Sequence, residues 1–233
     1  MARLKKYEDF MSNTTFVPIG GSESTDTLSK IVGIVGGGIN VLVITAATTL
    51  KEDSESKYRK IFEELGCSVE FVHCDKTGID EEENLSLLED SDLVFMTGGD
   101  QSKIVECLLD TLFLNRLVER SKKGLVVSGT SAGAAAMSKH MIAGGSQKPI
   151  IATGLSFLPE VIIDSHFGER NRIARLRKAV EAHTESVLIG LGLSEDCGVI
   201  VKGRRIEVIG TGKACLVTES GEVYLSPGES IVF

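Results

Sequence analysis

The chain of 233 residues contains no tryptophan, only 5% aromatic residues and only four histidines. No stretch approaches the length of about 20 apolar residues that a membrane-spanning helix requires. Residues 1–6 lead into a polar segment instead of an apolar one, so we expect no secretory signal peptide. Acidic residues outnumber basic ones by 33 to 25, and the net charge is −8. Nucleic acids and anionic membranes attract basic surfaces, so we expect neither as a partner.

Cysteine is also scarce and shows no ligand-like spacing. The five cysteines are odd in number, widely spaced and without a C-x-x-C pair: Cys67, Cys74, Cys107, Cys197 and Cys215. His73 beside Cys74 lacks the second pair of ligands that a zinc site requires. We therefore predict five reduced thiols, most of them buried, in a cytoplasmic protein that holds no metal and no cofactor.

Short apolar runs alternate with helical patterns over the first two thirds of the chain. Strands are predicted over residues 15–19, 41–45, 69–72, 93–96 and 125–127. Helices are predicted over residues 25–36, 54–66, 81–89, 101–120 and 132–140. Continuous β-branched runs are typical of strands buried on both faces, as in parallel sheets. This alternation of strands and helices predicts a doubly wound, mostly parallel α/β sheet with right-handed crossovers.

The last third changes character after a helical pattern near residues 169–183. Short strands separated by turns are predicted over residues 187–193, 198–201, 205–209, 214–217, 223–225 and 230–233. We interpret them as an antiparallel C-terminal extension of the same α/β domain, because no linker precedes them. The prediction is a single domain over residues 1–233.

Small residues surround one serine where a predicted strand becomes a helix. Gly129 and Gly133 flank Ser131 in a G-x-S-x-G pattern. In a nucleophile elbow, a sharp strand-to-helix turn exposes the serine hydroxyl, and bulky neighbours would block that turn. The alternative is a tight turn that merely needs glycine.

A nucleophilic serine needs a base, and the four histidines are unequal candidates. His166 follows the apolar run 161–165 and precedes a helix, so it falls at the carboxyl end of a strand, where ligands bind in such sheets. His73 and His183 fit structural positions. His140, nine residues past Ser131 on the predicted helix, should point away from the site. We therefore predict His166 as the base.

An acyl-transfer site also needs donors for the developing oxyanion. The amide of Ala132, at a helix N-terminus, is one candidate, and Gly99 in the Gly98–Gly99 loop is the second. Phosphate binding is an alternative for this glycine loop, but the lysine-serine pair of a P-loop does not follow it.

Three ordered motifs together are similar to known proteins: GGDQ at residues 98–101, GTSAGA at 129–134 and DSHFxxRxRxxRL at 164–176. With these motifs the chain resembles the cyanophycinases over about residues 15–220. These are cytoplasmic serine peptidases of the family that also includes the aspartyl dipeptidases (dipeptidase E). The resemblance implies a class-I-amidotransferase-like (flavodoxin-like) fold and acyl-enzyme hydrolysis without a metal, with Ser131 as nucleophile and His166 as base.

The resemblance also implies a substrate and a pocket. Cyanophycinases release β-Asp-Arg dipeptides from a polyaspartate backbone that carries arginine on each β-carboxylate. The pocket residues it implies are Gln101, Asp164, Ser165, Arg170, Arg172 and Arg175. A guanidinium fork suits a carboxylate, and an acid such as Asp164 suits an arginyl group. The alternative for the arginines is a solvated basic face of a helix.

Two departures from the family pattern affect the site. Ser165 stands where cyanophycinases usually have glutamine, so one pocket amide is missing. The family tends to supply the acid that orients the histidine from the segment between serine and histidine, where this chain has Gln147. The other candidate is Glu195, which matches a Gly-Ile-Gly-x-Asp-Glu motif and ends another strand. Glu195 would either orient His166 or bind a cationic group of the substrate, and Gln147 remains open as the orienting residue.

Three functions are therefore compared. The leading one is a cyanophycinase, the second a dipeptidase E-like enzyme for peptides with N-terminal aspartate, and the third an inactive binding relative. A homodimer is compatible with the short edge strands near the C-terminus, although no residue requires one. The sequence leaves endo or exo action undecided.

Overall fold

The computed structural model describes residues 14–47, 51–73 and 77–233. In the first half of these residues the elements are β1 Thr15–Ile19, α1 Thr25–Val35, β2 Asn40–Ile44, α2 Lys51–Glu64, β3 Ser68–Val72, α3 Glu82–Glu89, β4 Leu93–Met96, α4 Gln101–Leu108, α5 Leu112–Ser121, β5 Val126–Thr130 and α6 Ala132–Ala136. The second half contains β6 His140–Gly144, β7 Ile150–Thr153, β8 Val161–Ser165, α7 Ile173–Glu181, β9 Ile189–Leu193, β10 Cys197–Lys202, β11 Arg205–Gly210, β12 Ala214–Thr218, β13 Gly221–Leu225 and β14 Ser230–Val232.

The main sheet has eight strands in the order β14-β11-β10-β1-β5-β4-β2-β3. The five strands from β1 to β3 are parallel, and β10, β11 and β14 continue the sheet with antiparallel pairing. Successive side chains enter opposite apolar layers: Phe16 and Val94 pack in one cluster, Val17 and Phe95 in the other. The sheet is thus buried on both faces, which confirms the predicted mostly parallel α/β fold with an antiparallel C-terminal extension.

The C-terminal third also forms a second sheet, which the sequence did not predict. Its order is β13-β12-β9-β8, and β8 pairs with β9 in parallel. Helix α7 covers one face of this sheet, where Ile162, Leu176, Val180 and Val217 are buried together. The other face shares a large apolar cluster with the main sheet. That shared layer favours the single domain, whose boundaries stay a prediction.

Two predicted helices end earlier than the sequence pattern indicates. The helix predicted over 101–120 is two helices, because Asp110 has a φ of 62° and the Thr111 side chain caps α5 by accepting from the Leu114 amide. The helix predicted over 132–140 ends at Ala136. Its last carbonyl bonds a later segment of the chain instead of continuing the helix, since Leu155 N donates to Ala136 O at 2.8 Å. His140 therefore lies on β6 instead of a helix.

The cysteine prediction needs a correction at one position. Cys67, Cys197 and Cys215 are free and buried. Cys107 is disulfide-bonded, so the prediction of five reduced thiols is wrong there. Cys74 lies outside the described residues. Within the described ranges no helix combines the length and hydropathy needed to cross a bilayer.

Candidate active site

Ser131 occupies a strained turn between β5 and α6. Its backbone has φ 51° and ψ −103°, a conformation that residues with a side chain rarely adopt. The amide of Ser131 donates to the carbonyl of Ile19 at 2.9 Å, and its own carbonyl accepts from Ala135 N at 3.0 Å. The neighbouring strand and the following helix therefore hold the turn from both sides, as a strained functional position requires.

The glycines on either side of Ser131 leave no room for side chains. A Cβ on Gly129 would lie 2.6 Å from the carbonyl carbon of Gly133. A Cβ on Gly133 would lie 2.3 Å from the carbonyl oxygen of Met96. The small residues thus let α6 approach the main sheet closely behind the serine.

His166 reaches Ser131 from the other sheet. It follows β8, has a φ of 48°, and donates its amide to Gly20 O at 2.8 Å. Its Nε2 lies 2.9 Å from Ser131 Oγ. Ser131 and His166 were both predicted to follow strands, and the structure places those strands, β5 and β8, in two different sheets. The loop after β1 brings the two sheets together at this point.

Glu195 contacts the other ring nitrogen of His166. Its Oε1 lies 2.8 Å from Nδ1, and its side chain is 41% exposed. Hydrogen bonds from His166 first, and then from Ser22, lower the pKa of this carboxyl. A carboxylate on Nδ1 selects the tautomer whose Nε2 can accept the serine proton. Gln147 is exposed in the β6–β7 turn, so the geometry favours Glu195 as the residue that orients His166.

The two predicted oxyanion donors flank the serine. Ala132 is the first residue of α6, so its amide lies at the helix N-terminus directly after Ser131. Gly99 lines the cavity beside Ser131 and has a φ of 137°. Asp100 N donates to Ala47 O at 2.8 Å and so fixes the glycine loop. Their role as donors stays a prediction.

A cavity of about 310 Å³ opens in front of Ser131 and His166. Its lining includes the predicted residues Gly99, Gln101, Asp164, Ser165, Arg170, Arg172 and Arg175. Ala132, Gln147 and Glu195 do not line it. The Gln101 amide nitrogen donates to Ile142 O and Ala143 O, both at 3.0 Å, and so ties α4 to β6 at one wall of this cavity.

Two of the three predicted arginines are already bound to Asp164. Arg175 is buried, and its Nε donates to Asp164 Oδ2 at 2.9 Å while Nη2 contacts Oδ1. Arg172 donates from Nη1 to Asp164 Oδ1 at 3.2 Å and to Ser165 O at 2.7 Å. Burial lowers the pKa of Arg172, and Asp164 opposes that shift. This closed ion cluster leaves Asp164 and Arg175 little capacity for substrate groups.

Arg170, unlike Arg172 and Arg175, does not bond Asp164. It is exposed, lines the cavity and makes no ion pair with any described residue. Arg170 and Arg172 were predicted to lie on a helix near residues 169–183. The helix α7 begins only at Ile173, with Arg172 as its N-cap residue. The loop between His166 and α7 thus presents Arg170 to the cavity.

No residue of the loop after β1 was predicted for the site. Ser22 bonds the Glu195 carboxylate, and Glu23 accepts a hydrogen bond from Thr130, the residue before the serine. The sequence did indicate that this loop lies near the site, because the loop follows a buried strand at its carboxyl end. As for metals, the described residues contain no group of three or more His, Cys, Asp or Glu side chains that could hold an ion.

The chain is similar to known peptidases over most of its length. The model of peptidase family S51 matches residues 11–209. A cyanophycinase from Geminocystis herdmanii is 38% identical over 91% of this chain and 83% of its own length. A cyanophycinase from Trichormus variabilis is 33% identical over 94% of this chain and 80% of its own length.

Solved structures are similar in fold. The crystal structure of a peptidase from an acI-B1 Actinobacterium has a TM-score of 0.77 at 21% identity and covers 96% of this chain and 99% of that one. A putative peptidase E from Listeria monocytogenes has a TM-score of 0.61 at 19% identity, covering 84% and 98%. At these identities the likeness concerns the fold alone.

Proposed function

Because the chain belongs to peptidase family S51, we propose that this serine peptidase is a cyanophycinase that uses Ser131, His166 and Glu195 as its catalytic residues. The observation that carries the assignment is one chain of contacts. Ser131 Oγ lies 2.9 Å from His166 Nε2, and Nδ1 of the same ring lies 2.8 Å from Glu195 Oε1. The polymer substrate follows from the similarity to cyanophycinases, which favours it over a dipeptidase E-like or an inactive relative.

The geometry supports acyl transfer in two half-reactions. His166 Nε2 takes the proton of Ser131 as Oγ attacks the carbonyl carbon of an aspartyl residue, and the resulting imidazolium is stabilised by the Glu195 carboxylate. The amides of Ala132 and Gly99 would hold the oxyanion. The imidazolium then protonates the leaving amine as the peptide C–N bond breaks. A water, deprotonated by His166, hydrolyses the ester and restores the serine.

The pocket supports a substrate with carboxylates. We assign the substrate carboxylate to Arg170, because its guanidinium is exposed in the cavity and not paired within it. Arg172 would contribute a second cation beside Asp164. Gln101 and Ser165 line the same cavity and can bond amide groups of the polymer. A homodimer and a cytoplasmic location are further parts of this proposal.

The proposal is tested with cyanophycin granules as substrate and mass-spectrometric detection of β-Asp-Arg. Wild type should clear the granules, whereas Ser131→Ala and His166→Ala should lose activity by at least about 10³-fold with unchanged folding. Ser128→Ala, on the same strand, serves as the control and should retain turnover. Asp-Leu is offered separately. Cleavage of Asp-Leu alone, or full activity of Ser131→Ala, would reject the assignment.

A further inference from the structure

The end of β1 and the loop that follows it accept backbone hydrogen bonds from the three segments that carry the predicted catalytic residues. The carbonyl of Ile19 accepts from Ser131 N at 2.9 Å, and that of Gly20 accepts from His166 N at 2.8 Å. The carbonyl of Gly21 accepts from the amide of Asp196, the residue after Glu195, at 2.8 Å. Successive peptide groups of one loop therefore align the nucleophile, the base and the acid.

Glu23 fixes the inner end of this loop. Its side chain is 2% exposed, and the Thr130 hydroxyl donates to Oε2 at 2.5 Å. Oε1 accepts from Tyr58 OH at 2.7 Å and from Lys57 Nζ at 2.9 Å, so both oxygens are satisfied. Burial by itself raises the pKa of Glu23, but these three bonds outweigh it and lower the pKa. A buried ionised carboxylate thus stands directly behind the residue that precedes the nucleophile.

We propose that Glu23 is a positioning residue for the nucleophile, acting through Thr130. The proposal rests on the proposed role of Ser131. Glu23 does not line the cavity, so it contacts no reacting atom. Its carboxylate instead restrains the Thr130 side chain, and with it the peptide that enters the strained backbone of Ser131. Strain at such a position persists only where the surroundings determine it, and Thr130–Glu23 supplies that restraint from within the fold.

A merely structural role makes a different prediction. If Glu23 only joined α2 to the loop through Lys57 and Tyr58, loss of its bonds would reduce the free energy of unfolding and leave the reaction unchanged in the folded fraction. Positioning instead predicts a loss in kcat with little change in KM, because substrate groups bind elsewhere in the cavity.

The experiment compares variants of one strand on cyanophycin. Thr130→Val removes the hydroxyl at equal volume and should lower kcat about 10- to 100-fold, with KM within about twofold of wild type. Thr130→Ser keeps the hydroxyl and should recover most of that loss. Ser128→Ala is the matched control, since it removes the buried hydroxyl that donates to Val17 O at 2.8 Å and should leave kcat unchanged.

Glu23→Gln tests the coupling between the two residues. If Glu23 acts through Thr130, the variant carrying both Glu23→Gln and Thr130→Val should lose no more kcat than the worse single variant. The proposal would be overturned if the kcat loss of the double variant equalled the product of the two single losses. A kcat of Thr130→Val equal to that of wild type would also overturn it. If Glu23→Gln does not fold, the Thr130 series decides alone. Ser131→Ala separates a failure of this proposal from a failure of the proposed function. Full activity of that variant would show that Ser131 is not the nucleophile, whatever the Thr130 and Glu23 variants do.

Discussion

The imidazole of His166 occupies the space that a side chain on Gly21 would need. A methyl group at Gly21 would stand 2.4 Å from His166 Cε1 and 2.7 Å from Nε2, closer than any real contact of a Cβ. Gly21 also has a φ of 113°, which disfavours residues with a side chain. This one glycine therefore provides both the turn and the space that let the imidazole of His166 face Ser131.

Gly21→Ala should displace the His166 ring and lower kcat by at least about 10²-fold, because a shift of about 1 Å is enough for such a loss. The backbone strain should also cost about 1–3 kcal/mol in the free energy of unfolding. Gly36→Ala is the matched control: Gly36 has a φ of 126° but nothing within 4 Å of the new methyl. Both variants should lose stability in urea titrations, and only Gly21→Ala should lose turnover. Equal kcat in the two variants would contradict this reading.

Glu195→Gln should lower kcat by about 10³- to 10⁴-fold, as expected when a triad acid is replaced by its amide. The hydrogen bonds from His166 and Ser22 lower the pKa of Glu195, so the wild-type carboxylate keeps its charge at every pH above its ordinary value of 4.5. The advantage of wild type should shrink as the pH falls through the lowered pKa of Glu195, because the carboxylate then loses its charge. Ratios of kcat/KM across pH measure this.

Gln147→Glu is the companion variant for Glu195→Gln. It adds a charge at the position where the family tends to carry the orienting acid, but Gln147 is exposed in the β6–β7 turn. We expect a rate within about twofold of wild type, since His166 Nδ1 already bonds Glu195. A large gain in rate would show that the acid is missing at 147 after all.

The parallel core was predictable from sequence because its strands are continuous apolar runs. β1 to β4 fall within a residue of their predicted bounds. β5 continues three residues past its predicted end, to Thr130, and the serine turn follows it. The second sheet was not predictable, because short apolar runs specify strands without specifying their partners. The pairing of β8 with β9 depends on long-range packing under α7 that no local pattern records.

The site shows the same division. The contact between Ser131 and His166 could be expected from sequence because each residue follows an apolar run at a strand's carboxyl end. The internal pairing of Asp164 with Arg175 could not be read from spacing, since the same arginine pattern suits a substrate pocket. The place of the loop after β1 could be predicted from the strand before it, but the contacts of Glu23 with Thr130 and Tyr58 join residues far apart in the sequence and follow from no local pattern.

Arg175→Met should destabilise the fold more than it changes substrate binding. The buried Asp164 would lose two guanidinium bonds and keep only Arg172, which by analogy with broken buried pairs costs about 3–5 kcal/mol. Arg170→Met makes the same chemical change at an exposed residue. It should leave the free energy of unfolding within about 0.5 kcal/mol and raise KM. Urea unfolding and steady-state kinetics on both variants separate the two roles, and the reverse pattern would contradict them.

Gly133→Ala tests the close approach behind the nucleophile. The added methyl would stand 2.3 Å from the carbonyl oxygen of Met96, and because this atom belongs to the backbone of β4, α6 itself must move. We expect a loss of about 1–3 kcal/mol in stability together with a fall in kcat, as Ser131 shifts with the helix. Gly33→Ala, in α1 with nothing within 4 Å, should instead stabilise by about 0.5–1 kcal/mol and leave kcat unchanged. If Gly133→Ala behaved like Gly33→Ala in both measurements, the small residues around the serine would be a property of helix composition and not of the elbow.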